Sequence, residues 1–288
     1  MIIVKLKGGL GNQMFQYAFG KNIAIKHNTK LKFDDRWFST QENSIGRQYG
    51  LNIFNISEDF ATAKEIKKYT LSNIHFCLNP LTRLFSRVNY VKEVNLQFSE
   101  EIFNSPDNTY LEGYWQSEKY FNEIREILLR DFSFRDEPDS LNKKWIARIQ
   151  GANSVSVHIR RGDYVNNPAT NKFHGLCDPE YYERGFKVIE SRLESPEYYI
   201  FSDDISWVKK NLHFTSPSHF IEHNSGKPHE DLRLMLNCKH NIIANSSFSW
   251  WGAWGNTNPE KIVIAPQKWF NDPAIDTGDL VPEPWIRL

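Results

Sequence analysis

The chain has 288 residues, 40% of them hydrophobic, with 35 basic side chains balanced by 35 acidic ones. This length and composition fit one large domain or two ordinary ones with a real core, and argue against wholesale disorder. Zero net charge disfavours a general nucleic-acid binder, which carries a basic excess, so any anion site must be local.

The three cysteines, Cys77, Cys177 and Cys238, are odd in number and lack CxxC spacing. They read as buried apolar thiols, not as a disulfide framework or a zinc site. "MIIVKLKGG" is too short an apolar run for a signal peptide and lacks a small-residue cleavage site. No run approaches the roughly 18 apolar residues of a membrane span. The expectation is a cytoplasmic protein without a span, associated at most peripherally with the inner membrane face.

The opening, "IIVKLKGGLGNQMFQYAFGKNIAIKHN", predicts a strand over residues 2–6, a glycine turn, and a helix from about Asn12. Met14, Phe15, Ala18, Phe19 and Ile23 follow at helical spacing. "TKLKFDD" predicts the next strand, so the chain begins as a βαβ unit. Residues 57–75 and 117–131 look helical, and "NTYLEGYWQS" reads as a strand running into an aromatic loop. The polar stretch 134–140, "FRDEPDS", is a candidate linker. From about residue 150 strands and helices alternate regularly. Strands are predicted in "SVSVHIR", "YYIFSDD", "HFIEH", "HNIIANS" and "KIVIAP". Helices are predicted in "DPEYYERGFKVIESRLE", "ISWVKKNL", "HEDLRLMLNC" and "SFSWWGAWG". The first of these helices has Asp178 as its cap and Pro179 at the first helical position. Such alternation implies parallel sheets covered on both faces, whose ligands bind beyond the strands' carboxyl ends. Two Rossmann-like domains are expected, residues 1–148 and 149–288.

Four strand ends carry unusual residues. Gly8, Gly9 and Gly11 let backbone amides approach an anion at a helix start. The loop is neither a Walker loop nor GxGxxG, and a plain βα turn explains it equally well. In "HIRRGDY", Arg160 and Arg161 offer planar forks suited to phosphate, or a surface ion pair with Asp163. In "FSDD", Asp203 and Asp204 point to opposite sides of a strand. One of them is a helix cap and the other an acceptor for a base or ribose; a metal pair is the lesser reading. In "ANSSFSWWGAWG", serine hydroxyls and helix-start amides suit phosphate, whereas Trp250, Trp251 and Trp254 read as core.

At these residues the chain resembles the inverting α-1,2-fucosyltransferases of glycosyltransferase family 11. "GGLGNQMFQYAFG", "HIRRGDY", "FSDD" and "NSSFSWWGAW" carry the resemblance in order and spacing, with support from "CDPEYY" and "LMLNCKHNIIANS". It spans nearly the whole chain and is densest over 154–265. The resemblance implies an α/β fold of GT-B type, with two parallel-sheet domains facing a cleft and no metal or other cofactor. It implies transfer of L-fucose from GDP-L-fucose to the 2-hydroxyl of a galactose-terminated oligosaccharide, lipid-linked in O-antigen or surface-glycan assembly. By the same resemblance Arg160 bridges the diphosphate, His158 lies near the nucleotide, and Asp203 hydrogen-bonds guanine. Asn12 lies near the sugar and diphosphate, and Ser246 and Ser247 contact phosphate. Gly9, Gly11, Gln13, Arg161, Asp204, Asn245 and Phe248 complete the expected binding set. Asp163 is the candidate base, or else an ion-pair partner that holds an arginine.

Two other readings compete. One is a transferase of another GDP-sugar or linkage, since no residue visibly selects a 6-deoxy sugar. The other is a non-enzymatic glycan binder using the aromatic "GYWQ" at 113–116. A dehydrogenase is disfavoured by the missing dinucleotide fingerprint. Acceptor selection is expected in residues 36–55 and 110–120.

Overall fold

The computed structural model describes residues 1–43, 46–78, 88–162, 165 and 168–288. The chain divides into two compact units, Met1–Arg135 with Asp276–Leu280, and Asp136–Ile275 with Val281–Leu288. Each is an α/β layer structure around its own parallel sheet.

The division falls at Arg135, inside the polar stretch 134–140 and ahead of the expected break at 148. The reason is the helix Ser140–Gly151, whose Ile149 is buried with Tyr199, Phe201 and Leu234 of the second unit. The segment Asp276–Leu280 returns to the first unit. There Asp279 accepts the Phe98 backbone N–H at 2.9 Å, and Asp276 accepts Gln97 Nε2 at 2.7 Å.

The first unit runs β1 (Ile2–Lys5), α1 (Leu10–Lys26), β2 (Leu31–Asp34), α2 (Ala63–Leu78), β3 (Asn89–Lys92), α3 (Glu100–Phe103), β4 (Thr109–Glu112) and α4 (Arg125–Asp131). Its sheet has the order β2-β1-β4-β3, all parallel. Successive side chains of a strand face opposite ways, and β1 is apolar on both sides. Ile3 packs with Ile66 and Tyr69 of α2. Val4 faces α1, where a Cβ on Gly20 would stand 3.4 Å from Val4 Cβ and 2.9 Å from Leu31 Cδ1. Glycine at position 20 therefore lets α1 lie close to the sheet. The helix expected over 117–131 begins as two 3-10 turns, Glu118–Tyr120 and Asn122–Ile124, because Phe121 at φ −152° interrupts it. The short strand β3 was not anticipated from sequence; only two of its four residues are apolar.

The second unit runs α5 (Ser140–Gly151), β5 (Asn153–Ile159), α6 (Pro168–His174), α7 (Pro179–Glu190), β6 (Pro196–Ser202), α8 (Ile205–Asn211), β7 (Ser218–Phe220), α9 (Pro228–Asn237), β8 (His240–Ile242), α10 (Ser247–Trp254), β9 (Val263–Ala265) and β10 (Ile286–Arg287). The sheet order is β10-β9-β8-β5-β6-β7, all parallel. Taken in chain order this is the doubly wound 3-2-1-4-5-6 arrangement. The strand β5 shows why the sheet is covered on both faces. Val155, Val157 and Ile159 pack with Tyr182, Phe186 and Val208 on one side. Ser154, Ser156 and His158 are equally buried on the other. There Ser156 Oγ accepts Asn241 Nδ2 at 2.7 Å, and Ser154 Oγ accepts the Lys239 N–H at 3.1 Å. As expected, Asp178 caps α7 through the Tyr181 N–H, and Trp250, Trp251 and Trp254 are core. Among the described residues, no helix is long and apolar enough to cross a membrane.

Candidate active site

In the second sheet β5 and β8 are neighbours, but the chain leaves them in opposite directions. From β5 it passes to β6 and β7, and from β8 to β9 and β10. Their carboxyl-end loops part at this point, which is where doubly wound sheets bind ligands. The β5 loop supplies Arg160, Arg161 and Gly162, and the β8 loop supplies Asn245, Ser246 and Ser247. Next to them the end of β6 supplies Asp203 and Asp204.

The two aspartates hold the two arginines. Asp203 Oδ2 lies 2.8 Å from Arg160 Nη1, and Asp203 Oδ1 accepts the Arg161 N–H at 2.8 Å. Gly162 lies so near that a Cβ on it would sit 2.7 Å from Asp203 Oδ2. One carboxylate thus fixes both the guanidinium and the turn that carries it. Arg161 goes elsewhere: its guanidinium lies 3.8 Å from the Trp207 ring centroid, with Nε 3.4 Å from Asp204 Oδ2. Asp204 also caps α8, accepting the Trp207 N–H at 3.0 Å. The adjacent aspartates therefore diverge, one to an arginine and one to a helix start. Among the described residues Asp203 pairs with Arg160; Asp163, expected as partner or base, lies outside the described residues.

His158, the last inward residue on its face of β5, is buried, and among the described residues its Nδ1 has no hydrogen-bond partner. Burial, reinforced by the Arg160 charge, pushes its pKa down to about 4, with Asp203 opposing, so the ring is neutral at pH 7. The ring lies 5.8 Å from that of Phe248, which links the end of β5 to the first turn of α10. Ser246 is the N-cap of α10, yet its hydroxyl makes no capping bond. Ser246, Ser247 and Phe248 are half-buried there, at a helix end whose first amides have no intrahelical acceptor. Asn245 is different. It is buried, and its Nδ2 donates to the carbonyls of His174 at 3.0 Å, Trp269 at 3.2 Å and Gly175 at 3.4 Å. Its side chain ties three loops together.

In the first unit the glycine loop is built by its own polar side chains. Gly8 has φ +78°, the left-handed region that favours glycine. Gly9 is the N-cap of α1, and Gly11 is buried in the first turn. Gln13 is fully buried. Its Nε2 donates to the Gly8 and Gln48 carbonyls at 3.1 and 2.9 Å, and its Oε1 accepts the Gly50 N–H at 2.9 Å. Asn12 is half-buried, and its Oδ1 accepts Gln116 Nε2 at 2.8 Å. Gln13 shapes the loop, while Asn12 lines it.

Sequence reasoning passed over Asp231, near the start of α9. Burial raises its carboxyl to about 6, although Asn224 Nδ2 donates to Oδ1 at 2.9 Å. In sequence it is one acid in "HEDLR", with nothing to separate it from a solvated helix face. Cys177, beside Asn245, is pushed up to about 12 by burial and is no nucleophile at neutral pH.

The sequence model of Glycosyl transferase family 11 matches residues 1–288. An alpha-1,2-colitosyltransferase of Escherichia coli is 36% identical over 303 residues, covering 100% of this chain and 99% of that protein. The O-antigen biosynthesis glycosyltransferase WbnK of Escherichia coli is also 36% identical, over 98% of this chain and 99% of its own length. Galactoside 2-alpha-L-fucosyltransferase Sec1 of Mus musculus is 25% identical over 88% of this chain and 64% of its own. With a family match from the first residue to the last, and two relatives similar over nearly their full length, this chain belongs to glycosyl transferase family 11 and is a glycosyltransferase.

Proposed function

We propose that this enzyme transfers a 6-deoxy-L-galactose-type sugar from its GDP ester to the 2-hydroxyl of a galactose-containing glycan, with inversion and without a metal ion. The observation that carries the reading is the Arg160–Asp203 clamp at the switch point of the second sheet. In the reaction the acceptor oxygen forms a bond to the anomeric carbon as the carbon–phosphate oxygen bond breaks, and the departing GDP gains negative charge. Fixed donors must meet that charge. Arg160 and the first amides and hydroxyls of α10, at Ser246, Ser247 and Phe248, supply them, and neutral His158 forms the floor beside the nucleotide. The acceptor proton goes to a carboxylate, for which Asp163 is the proposed base. The two parallel-sheet units correspond to the two halves of a GT-B enzyme, and the glycine loop with Asn12 belongs to the sugar side.

The motifs of the chain favour L-fucose as the sugar. A second reading, colitose, is favoured by the 36% identity to a colitosyltransferase. Colitose is L-fucose without its 3-hydroxyl, so the same phosphate machinery serves both. The similarity to WbnK supports a role in O-antigen synthesis, where a lipid-linked acceptor would bring the enzyme to the inner membrane face.

The test is a transfer assay with GDP-L-fucose, GDP-colitose and GDP-mannose against a panel of β-galactosides, with and without EDTA. The expected result is EDTA-insensitive transfer from one of the first two donors, giving an α-1,2 product. Transfer from GDP-mannose alone, or activity abolished by EDTA and restored by Mg²⁺, would overturn the reading. Asp163→Asn separates the roles of that residue. A lost rate with GDP affinity unchanged marks a base; retained transfer with weakened GDP binding marks a structural acid.

A further inference from the structure

Lys7 is half-buried just past the end of β1, immediately before the glycine loop. Its Nζ lies over the ring of Tyr114, 4.4 Å from the centroid. Tyr114 follows β4, the strand paired with β1, so both residues stand at the same edge of the first sheet. Among the described residues no carboxylate comes within 4 Å of Lys7 Nζ. The nearby acids are engaged elsewhere. Glu112 takes Lys5 Nζ at 3.1 Å and the Tyr90 hydroxyl. Glu93 accepts the Tyr114 and Trp115 amides at 2.6 and 2.9 Å. Burial lowers the Lys7 pKa, with the Glu112 charge opposing. A partly desolvated ammonium with no carboxylate in direct contact among the described residues is costly.

The residues around Lys7 are held at some expense as well. Trp115 adopts φ +57°, a left-handed conformation that costs a bulky residue about 1–3 kcal/mol. That turn buries the Trp115 ring completely and leaves Tyr114 and Gln116, on either side of it, half-exposed. Gly113 makes the turn possible, since a Cβ there would stand 2.5 Å from Glu93 Cβ. Gln116 in turn binds Asn12 Oδ1, which directs Asn12 Nδ2 toward Gly8. An ammonium over an aromatic ring and a hydrogen-bonded pair of amides thus stand on the neighbouring segments that follow β1 and β4. Polar groups beside an apolar wall are what a sugar, with its ring of hydroxyls and its apolar faces, requires.

We propose that Lys7, Asn12, Tyr114 and Gln116 form the acceptor-sugar subsite, with Lys7 donating to a hydroxyl oxygen of a neutral glycoside and Tyr114 as the wall. This rests on the glycosyltransferase reading above and adds specificity-determining residues to it. A charge-assisted hydrogen bond of this kind is worth about tenfold or more in affinity.

The test uses the full chain and Lys7→Met, which keeps the alkyl stem over Tyr114 and removes the charge. Lactose binding is followed by saturation-transfer NMR, GDP binding by calorimetry, and folding by circular dichroism. The expected result is lactose affinity weakened by about tenfold in folded Lys7→Met, with GDP affinity unchanged and partial rescue in Lys7→Arg. Unchanged lactose affinity overturns the proposal. So does a parallel loss of GDP affinity, which would assign Lys7 to the nucleotide, and so does a wild-type protein that binds GDP but no lactose. Should Lys7→Met not fold, Gln116→Ala is read in the same way. If the wild type neither binds GDP nor transfers sugar, the enzyme reading falls, while the lactose measurement still decides the subsite.

Discussion

Asp203 Oδ2 stands 2.8 Å from Arg160 Nη1, while Oδ1 of the same carboxylate holds the Arg161 amide at 2.8 Å. The second contact fixes the turn, and the first aims the guanidinium. Asp203→Asn keeps an oxygen for the amide but sets an uncharged group against Arg160. Its expected effect is a transfer rate lowered by about tenfold to a hundredfold in a folded protein. Arg160→Ala removes the donor itself and should cost about 10²–10³ in rate. Steady-state kinetics beside circular dichroism check both; near-native turnover by folded Arg160→Ala would remove Arg160 from the mechanism.

Gly162 tests the same clamp without touching a charge. Its Cβ would sit 2.7 Å from Asp203 Oδ2, closer than real Cβ contacts allow. Gly162→Ala should push the carboxylate away and lower the transfer rate in the same direction as Asp203→Asn. In the double variant Gly162→Ala/Asp203→Asn the two effects should combine to less than their product, because both break one contact. Multiplicative effects would show that Gly162 acts through something else.

Asn245 belongs to the expected binding set, and its amide also donates to three backbone carbonyls. Asn245→Ala leaves those buried acceptors unmatched, which costs about 1–3 kcal/mol. The measurable outcome is a Tm lowered by roughly 2–10 °C in scanning calorimetry. An unchanged Tm would return Asn245 to a role in ligand contact alone.

Two buried groups give opposite pH dependences. His158 has a folded pKa depressed below its ordinary value of about 6.5, so its contribution to stability is present above that pH. It is lost as the pH falls toward about 4. Asp231 has a folded pKa raised from the ordinary carboxyl range to about 6. Its protonated form favours the fold at low pH, and that contribution is lost as the pH rises through about 6. Asp231→Asn, which still accepts from Asn224, should therefore raise Tm at pH 8 and change it little at pH 4. Thermal melts across pH 4–8 check this; an equal shift at both ends would show that charge burial is not the cause. In His158→Gln the loss of stability between pH 6.5 and 4 should be smaller than in wild type.

Local patterns in the chain determine its α/β class, the run of strands and helices after residue 150, and the placing of unusual residues at strand ends. These follow from side-chain periodicity, glycine turns and caps such as Asp178, which act within a few residues. The same locality explains the omissions. β3 and β10 are short and weakly apolar, and they exist because a neighbouring strand offers hydrogen bonds. "SVSVHI" alternates like a half-exposed strand, yet it is buried on both faces because α5 and α9 cover its serine side.

The identity of each partner was decided only by the tertiary structure. Sequence proximity points to Asp163 for the arginines, a residue outside those described; the parallel register of β5 and β6 adds what proximity could not, bringing Asp203 to Arg160 and Asp204 to Arg161. Lys7 and Tyr114 are joined in the same way, through the pairing of β1 with β4. A motif can state which groups are present at a strand end. Which of them meet depends on strand order, set by burial of the whole sheet and not by any short stretch of chain.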